Sequence, residues 1–210
     1  MDRFIRFAGF TGVGGGLLLG VGAGIQAGVG GPLSHAAPTT AFALAAALRL
    51  LGAIALLIGI TGVYLRASDR AGLFGLIGYI LAVASLVLQA GFMWADLFLS
   101  SAVARVAPGI LDGTVSDDRM AAGGLISWFF NVFFAVLGIA MLRSRVYPRA
   151  VGWALVVMGL IPLVPLPFDG PVYEVIIGVA AITASVFFIR SVSGAMASAP
   201  DRVSAASVRQ

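Results

Sequence analysis

Residues 7–31 read FAGFTGVGGGLLLGVGAGIQAGVGG, and Gly12, Gly16, Gly20, Gly24 and Gly28 recur in them at every fourth position. In water such a run makes a poor helix, because each Gly costs roughly 1 kcal/mol against Ala. In a bilayer the backbone must satisfy its own hydrogen bonds, so the same run is helical. The bare glycines then predict a groove that another helix approaches closely. Each step of four residues turns ~40° around a helix of 3.6 residues per turn, which makes the row a slanted ridge rather than a flat face. The first helix therefore reads as a packing hub, and a Leu at Gly20 is expected to damage folding more than assembly.

The rest of the chain follows this lead. Of its 210 residues 60% are hydrophobic, the mean hydropathy is +1.05, and only 10% are charged, where a soluble domain carries about 25%. The expected fold is all-α, a polytopic transmembrane bundle. Its six apolar segments lie near 7–30, 41–65, 72–97, 120–142, 149–166 and 172–190. All but the fifth are long enough to cross ~30 Å of hydrocarbon. Residues 1–191 form the expected transmembrane domain, and 192–210, rich in Ser and Ala, a flexible tail. Arg3 and Arg6 precede the first run, and Ser34-His35-Ala36 loosely resembles a leader-cleavage site. The run is well beyond the usual 7–15 residues of a signal-peptide core, so the first helix is expected to be retained.

All 13 basic residues are Arg, and they are spread thinly between apolar runs. With no basic cluster to follow a phosphate backbone, nucleic acid is not an expected partner; membrane lipids are. Arg3, Arg6, Arg66, Arg70, Arg143, Arg145, Arg149, Arg190, Arg202 and Arg209 fall on one side of the predicted topology, against Arg105 and Arg119 on the other. By the positive-inside rule both termini are cytoplasmic and the location is the cell membrane. The third connection is the longest. Its start, Leu97 to Val106, is apolar enough to lie in the interface as a helix, Pro108-Gly109 breaks that helix, and Ser116-Asp117-Asp118 starts the next.

The chain has no Cys and one His, which excludes disulfides, thiolate chemistry and multi-His metal sites. No cofactor or metal is expected. Catalytic motifs are absent. Gly12-Val13-Gly14-Gly15-Gly16 lacks the strand and the Lys-Ser/Thr of a phosphate loop. Ionisable groups at membrane depth are the default candidates for function. Arg49 lies inside the second segment, Asp96 ends the third, Glu174 and Asp169 lie at the start of the sixth, and His35 is in the first outer loop. All five belong to the outer half. Two readings stay open: an outward polar pocket with Arg49 paired to Asp96 or Glu174, or separate roles as a snorkelling Arg and helix-capping acids. Gln26, Gln89 and Asn131 read as interhelical hydrogen bonders worth ~1 kcal/mol each.

Leu50-Leu51-Gly52, Gly59-Ile60-Thr61-Gly62-Val63-Tyr64 and Arg70-Ala71-Gly72-Leu73-Phe74-Gly75-Leu76-Ile77-Gly78, with Asp96-Leu97-Phe98, Ala107-Pro108 and Leu111-Asp112, form a pattern. It resembles a group of small bacterial six-helix membrane proteins of unassigned function. The resemblance implies a helical bundle in the bacterial inner membrane and brings no catalytic residue. The leading function class is a structural or interaction protein, with a homo-oligomer or a membrane-protein partner implied by the glycine row. A small-solute or lipid transporter comes second and an intramembrane enzyme third.

Overall fold

The computed structural model describes residues 2–115, 122–123, 125–126, 129–164 and 170–197. Among them every regular element is helical. The chain runs through α1 (Asp2–Val29), α2 (Leu33–Ala36), α3 (Thr40–Phe98), α4 (Ser100–Val106) and α5 (Pro108–Leu111). Then come α6 (Val132–Ser144), α7 (Arg149–Leu160), a 3-10 turn (Ile161–Leu163) and α8 (Gly170–Ala197). Three of these, α1, α3 and α8, are long and apolar enough to cross a membrane.

The 59 residues of α3 would stretch ~88 Å if straight, at 1.5 Å per residue. They do not, because Gly72 takes φ 57 and ψ −159, a conformation open to Gly and costly for a residue with a Cβ. Contacts between residues before and after it show the result. Tyr64 stacks on Tyr79 with ring centroids 4.4 Å apart, Thr61 Oγ1 lies 3.0 Å from the Tyr79 hydroxyl, and Arg49 reaches Asp96. So α3 is a hairpin of two antiparallel arms, 40–71 and 73–98. Its start is capped by the Thr39 hydroxyl, which accepts from the Phe42 amide at 3.2 Å. The Arg66–Arg70 connection, read from the sequence as a loop, is helical, since one glycine suffices for the turn.

Pro148 is the N-cap of α7. At the C-terminus α8 runs to Ala197; residues 198–210 of the expected tail lie outside the described residues. The expected fourth segment is described in part, as α6 and the helical residues 122–123, 125–126 and 129–130. The Ser116-Asp117-Asp118 start lies outside the described residues. The fifth segment is short, an apolar stretch of 15 residues from Arg149 to Leu163.

The helix contacts are rich in Ala, Gly and Ser, with Phe134, Leu137, Met141, Met158 and Phe188 filling the core, whereas Phe7, Phe10, Leu51, Leu73, Val87, Trp153 and Val179 are all more than half exposed. Small residues at the contacts and large apolar groups on the outer surface suit helices in lipid, where close backbone approach rather than water exclusion drives association. Helix α1 lies between the first arm of α3 and α8. Against α3 it presents Ala8, Gly12, Gly15, Leu19 and Gly22, facing Gly62, Gly59, Leu56, Gly52 and Ala45. These alternate four and three residues apart, a 3.5-residue repeat that drifts only ~20° per seven residues. Against α8, Gly9 meets Phe188 and Ile189, Gly12 meets Ser185, and Gly16 meets Gly178 and Ile182.

The glycine row is therefore not one packed ridge. A Cβ built on Gly20, Gly24 or Gly28 would meet nothing within 4 Å. The ~40° drift per step carries the row off the α8 contact after Gly20, whose backbone still lies against Gly178. The expected damage to folding from Leu at Gly20 is corrected accordingly: the side chain would project into open space.

The bundle has two distinct ends. At one, Ile5 approaches Gly62, Arg66 donates to the Ser191 carbonyl, Tyr147 packs on Phe188, and Arg143 sits over Phe74. Most of the described arginines gather here, together with the start of α1 and the last turns of α8. Gln26, Arg49, Asp96 and Glu174 occupy the opposite end, beneath a cap of α2, α4 and α5.

Candidate functional site

Four elements converge on Arg49. Its Nε–H donates to Glu174 Oε2 at 2.6 Å and its Nη2 to Glu174 Oε1, so α8 is gripped by a two-pronged guanidinium–carboxylate fork. Nη1 donates to Gln26 Oε1 on α1 and to Asp96 Oδ2 on the second arm of α3, the latter at 3.4 Å. On α4, the Ser100 hydroxyl donates to Asp96 Oδ1 at 3.3 Å. The Arg49 side chain is 10% exposed, against 26% for Asp96 and 21% for Glu174. The cation is inside, and its carboxylates lie between it and the outer surface.

Local sequence explains how so large a side chain fits. Gly22 of α1 faces Arg49, and a Cβ there would come within 2.8 Å of both Arg49 Cγ and the Ala45 carbonyl. The missing methyl lets the arginine stem lie along the α1 backbone and bring its head to Gln26, about one turn further on. Glu174 is the fifth residue of α8, with no acid in the first turn, so its oxygens serve Arg49 rather than the helix N-terminus. The structure thus places Arg49 against both Glu174 and Asp96.

Of the remaining sequence candidates, Asp169 lies outside the described residues. His35 does not join Arg49; it sits on α2 beside a second polar contact that sequence reasoning missed. Asp112 accepts from the Ser34 amide at 3.0 Å and from the Ser34 hydroxyl at 2.6 Å, across 78 residues. These two bonds hold its carboxyl below the ordinary carboxylate range, and the nearby His35 adds to the effect. The contact ties α2 to the turn after α5 and closes the cap over a small cluster of Ala36, Ala37 and Phe42. A carboxylate capping a helix start is recognisable in sequence when the two are adjacent; at this separation no local signal exists.

Gln89 donates to Asn131 Oδ1, joining the second arm of α3 to the chain entering α6. Ser85, fully buried on the same arm, has no hydrogen-bond partner for its hydroxyl. Among the described residues no group of three or more His, Cys, Asp or Glu side chains could hold a metal ion. Chemically, the Arg49 site is a closed clamp with one cation, two carboxylates and one amide. It can lock four helices, and its two carboxylates stay partly exposed. No protein-family model, curated protein or solved structure matches the chain.

Proposed function

We propose that this chain is an integral membrane protein that crosses the bilayer six times, with both termini in the cytoplasm, and that it serves as a structural or interaction subunit. The six crossings are α1, the two arms of α3, the fourth apolar segment that includes α6, the α7 stretch and α8. The Arg-rich end faces the cytoplasm by the positive-inside rule. A bacterial inner membrane is the location this reading implies. The observation that carries the interaction role is the open half of the α1 glycine row. Gly24 and Gly28 are exposed and Gly20 is partly so, with nothing within 4 Å of their absent side chains. Ala8, Gly9, Gly12, Gly15, Gly16 and Gly22 of the same helix pack against α3 or α8. Two steps of ~40° separate these three positions, which suits a steep crossing by a helix of a second copy or of a membrane partner.

Substituting Gly24→Leu and Gly28→Leu tests this. The expected result is a protein with unchanged helical circular dichroism and thermal stability that no longer crosslinks into its oligomer or with its co-purifying partner. A wild-type protein that is strictly monomeric and partner-free by native mass spectrometry after mild extraction overturns the reading.

A second reading, a small-solute or lipid transporter, draws on the partly exposed Asp96 and Glu174, which outnumber Arg49 and leave the site one negative charge in excess. It requires uptake into reconstituted vesicles that is lost on Glu174→Gln. An intramembrane enzyme has least support, since no nucleophile–base set accompanies the cluster.

A further inference from the structure

At the Arg-rich end α6 closes on Arg145, whose backbone is left-handed at φ 52, and α7 opens directly after Pro148. This tight reversal gathers Arg143, Arg145 and Arg149 around one cavity of ≈ 700 Å³, completed by Ile139, Leu142 and Tyr147. The volume is in the ~300–1,000 Å³ range of small-ligand sites. All three arginines are exposed. Among the described residues both ion pairs belong to Arg49 at the far end, so no described carboxylate neutralises them. Arg143 is held 5.2 Å above the Phe74 ring, a cation–π contact that positions its head without consuming its hydrogen-bond donors.

Three unneutralised guanidinium groups around one cavity call for an anion, and their planar forks match phosphate oxygens two at a time. The lining also has a polarity gradient. Ile139 lies one helical turn below Arg143 and is 40% exposed on the apolar flank, and Leu142 continues that wall. A free phosphate uses only the rim, whereas a phospholipid uses both rim and wall. We propose that this cavity binds the phosphate of an anionic phospholipid headgroup, with an acyl chain lying along Ile139 and Leu142. The assignment rests on the membrane reading above for the source of the phosphate. It is independent of the open glycine row at the other end of α1.

The test is native mass spectrometry of delipidated, detergent-solubilised full-length protein titrated with phosphatidylglycerol or phosphatidylcholine. At about fivefold per arginine near a lipid surface, three arginines give a preference for the anionic lipid on the order of 100-fold. The triple variant R143Q/R145Q/R149Q is expected to lose that preference. The variant R3Q/R6Q/R190Q, with the same change in charge elsewhere, is expected to keep it. Equal retention of the two lipids by wild-type protein overturns the proposal, as does a triple variant that still discriminates. Displacement of phosphatidylglycerol by millimolar inorganic phosphate also overturns it, in favour of a free-anion site. The lipid comparison and the phosphate competition need no variant, so they decide the matter even where the triple variant fails to fold. Loss of lipid selectivity with an intact oligomer separates this inference from the interaction role.

Discussion

Removing Arg49 should be the most damaging single change in the bundle, and the geometry ranks its partners. Arg49→Met leaves Asp96 and Glu174 facing each other without their cation. Stripping one partner from a buried ion pair costs about 3–5 kcal/mol. The lower end applies here, because the two carboxylates keep 26% and 21% of their side-chain exposure. Glu174 holds two guanidinium nitrogens and Asp96 holds one at 3.4 Å. In double-mutant cycles with Arg49→Met, coupling to Glu174→Gln should therefore reach about 2–3 kcal/mol and exceed coupling to Asp96→Asn. Exposed pairs give only about 0.2–1 kcal/mol. The assay is reversible unfolding in mixed micelles of mild detergent and increasing dodecyl sulfate, followed by far-ultraviolet circular dichroism. A coupling below about 0.5 kcal/mol to Glu174, or a larger one to Asp96, refutes the clamp as drawn.

The same assay reads two further expectations, and hydrogen exchange reads a third, through pH. Gly22→Ala forces a methyl against Arg49 Cγ and the Ala45 carbonyl and should cost about 1–3 kcal/mol, while Gly24→Ala, with nothing within 4 Å, should be neutral or slightly stabilising. Equal effects at the two positions would remove the structural distinction between them. Tyr147→Phe deletes a 2.7 Å hydrogen bond to the Val63 carbonyl and should lower stability by about 1 kcal/mol; burial holds this phenol above its ordinary pKa, so no alkaline transition below pH 10 should be traced to it. The Asp112 carboxyl is held lower in the folded protein than in the unfolded chain. Its contribution is therefore complete above the ordinary carboxylate pKa near 3.8 and is lost as pH falls through the lower folded value. Hydrogen exchange at the Ser34 amide should accelerate through that acidic window in wild type and be fast and flat with pH in Asp112→Ala, after correction for intrinsic rates; a flat wild-type profile rules the contact out.

What the sequence made legible was chemistry that repeats or is scarce. Apolar runs longer than a bilayer is thick marked α1, both arms of α3 and α8, because hydrocarbon imposes helix on any spanning backbone. Arg49, Asp96 and Glu174 stood out because charge is rare in such runs, and they do meet. What stayed hidden depended on angular register. The four-residue glycine row is the more visible pattern, yet the seam against α3 uses Ala8, Gly12, Gly15, Leu19 and Gly22, whose mixed spacing and single Leu disguise it. Gly22 was invisible as the seat of Arg49 because its role depends on a side chain 27 positions away in the chain. Asp112 and Ser34 were hidden for the same reason. The turn at Gly72 was legible as a break but not as a hairpin completed by one residue, since the preceding arginines look like loop composition and continue the helix.

The two kinds of contact around α1 do different physical work. Small residues repeating every three or four positions pack closely, but they pack almost as well after a slip of one heptad, ~10.5 Å along the axis. Such a slip sets Gly15, Leu19 and Gly22 opposite Gly62, Gly59 and Leu56, so three of the five seam positions still present Gly or Leu. The seam therefore supplies attraction with weak registry. Arg49 cannot slip in this way, because only Gly22 leaves room for its stem while Gln26 and Glu174 meet its head. Displaced by a heptad, the guanidinium would face apolar side chains with its donors unsatisfied, a cost of several kcal/mol in a medium without water. The clamp thus selects one alignment among several that the glycine seam permits. On this reasoning the apolar double variant Arg49→Met with Glu174→Met retains much of its stability and loses the single register that the wild-type bundle holds.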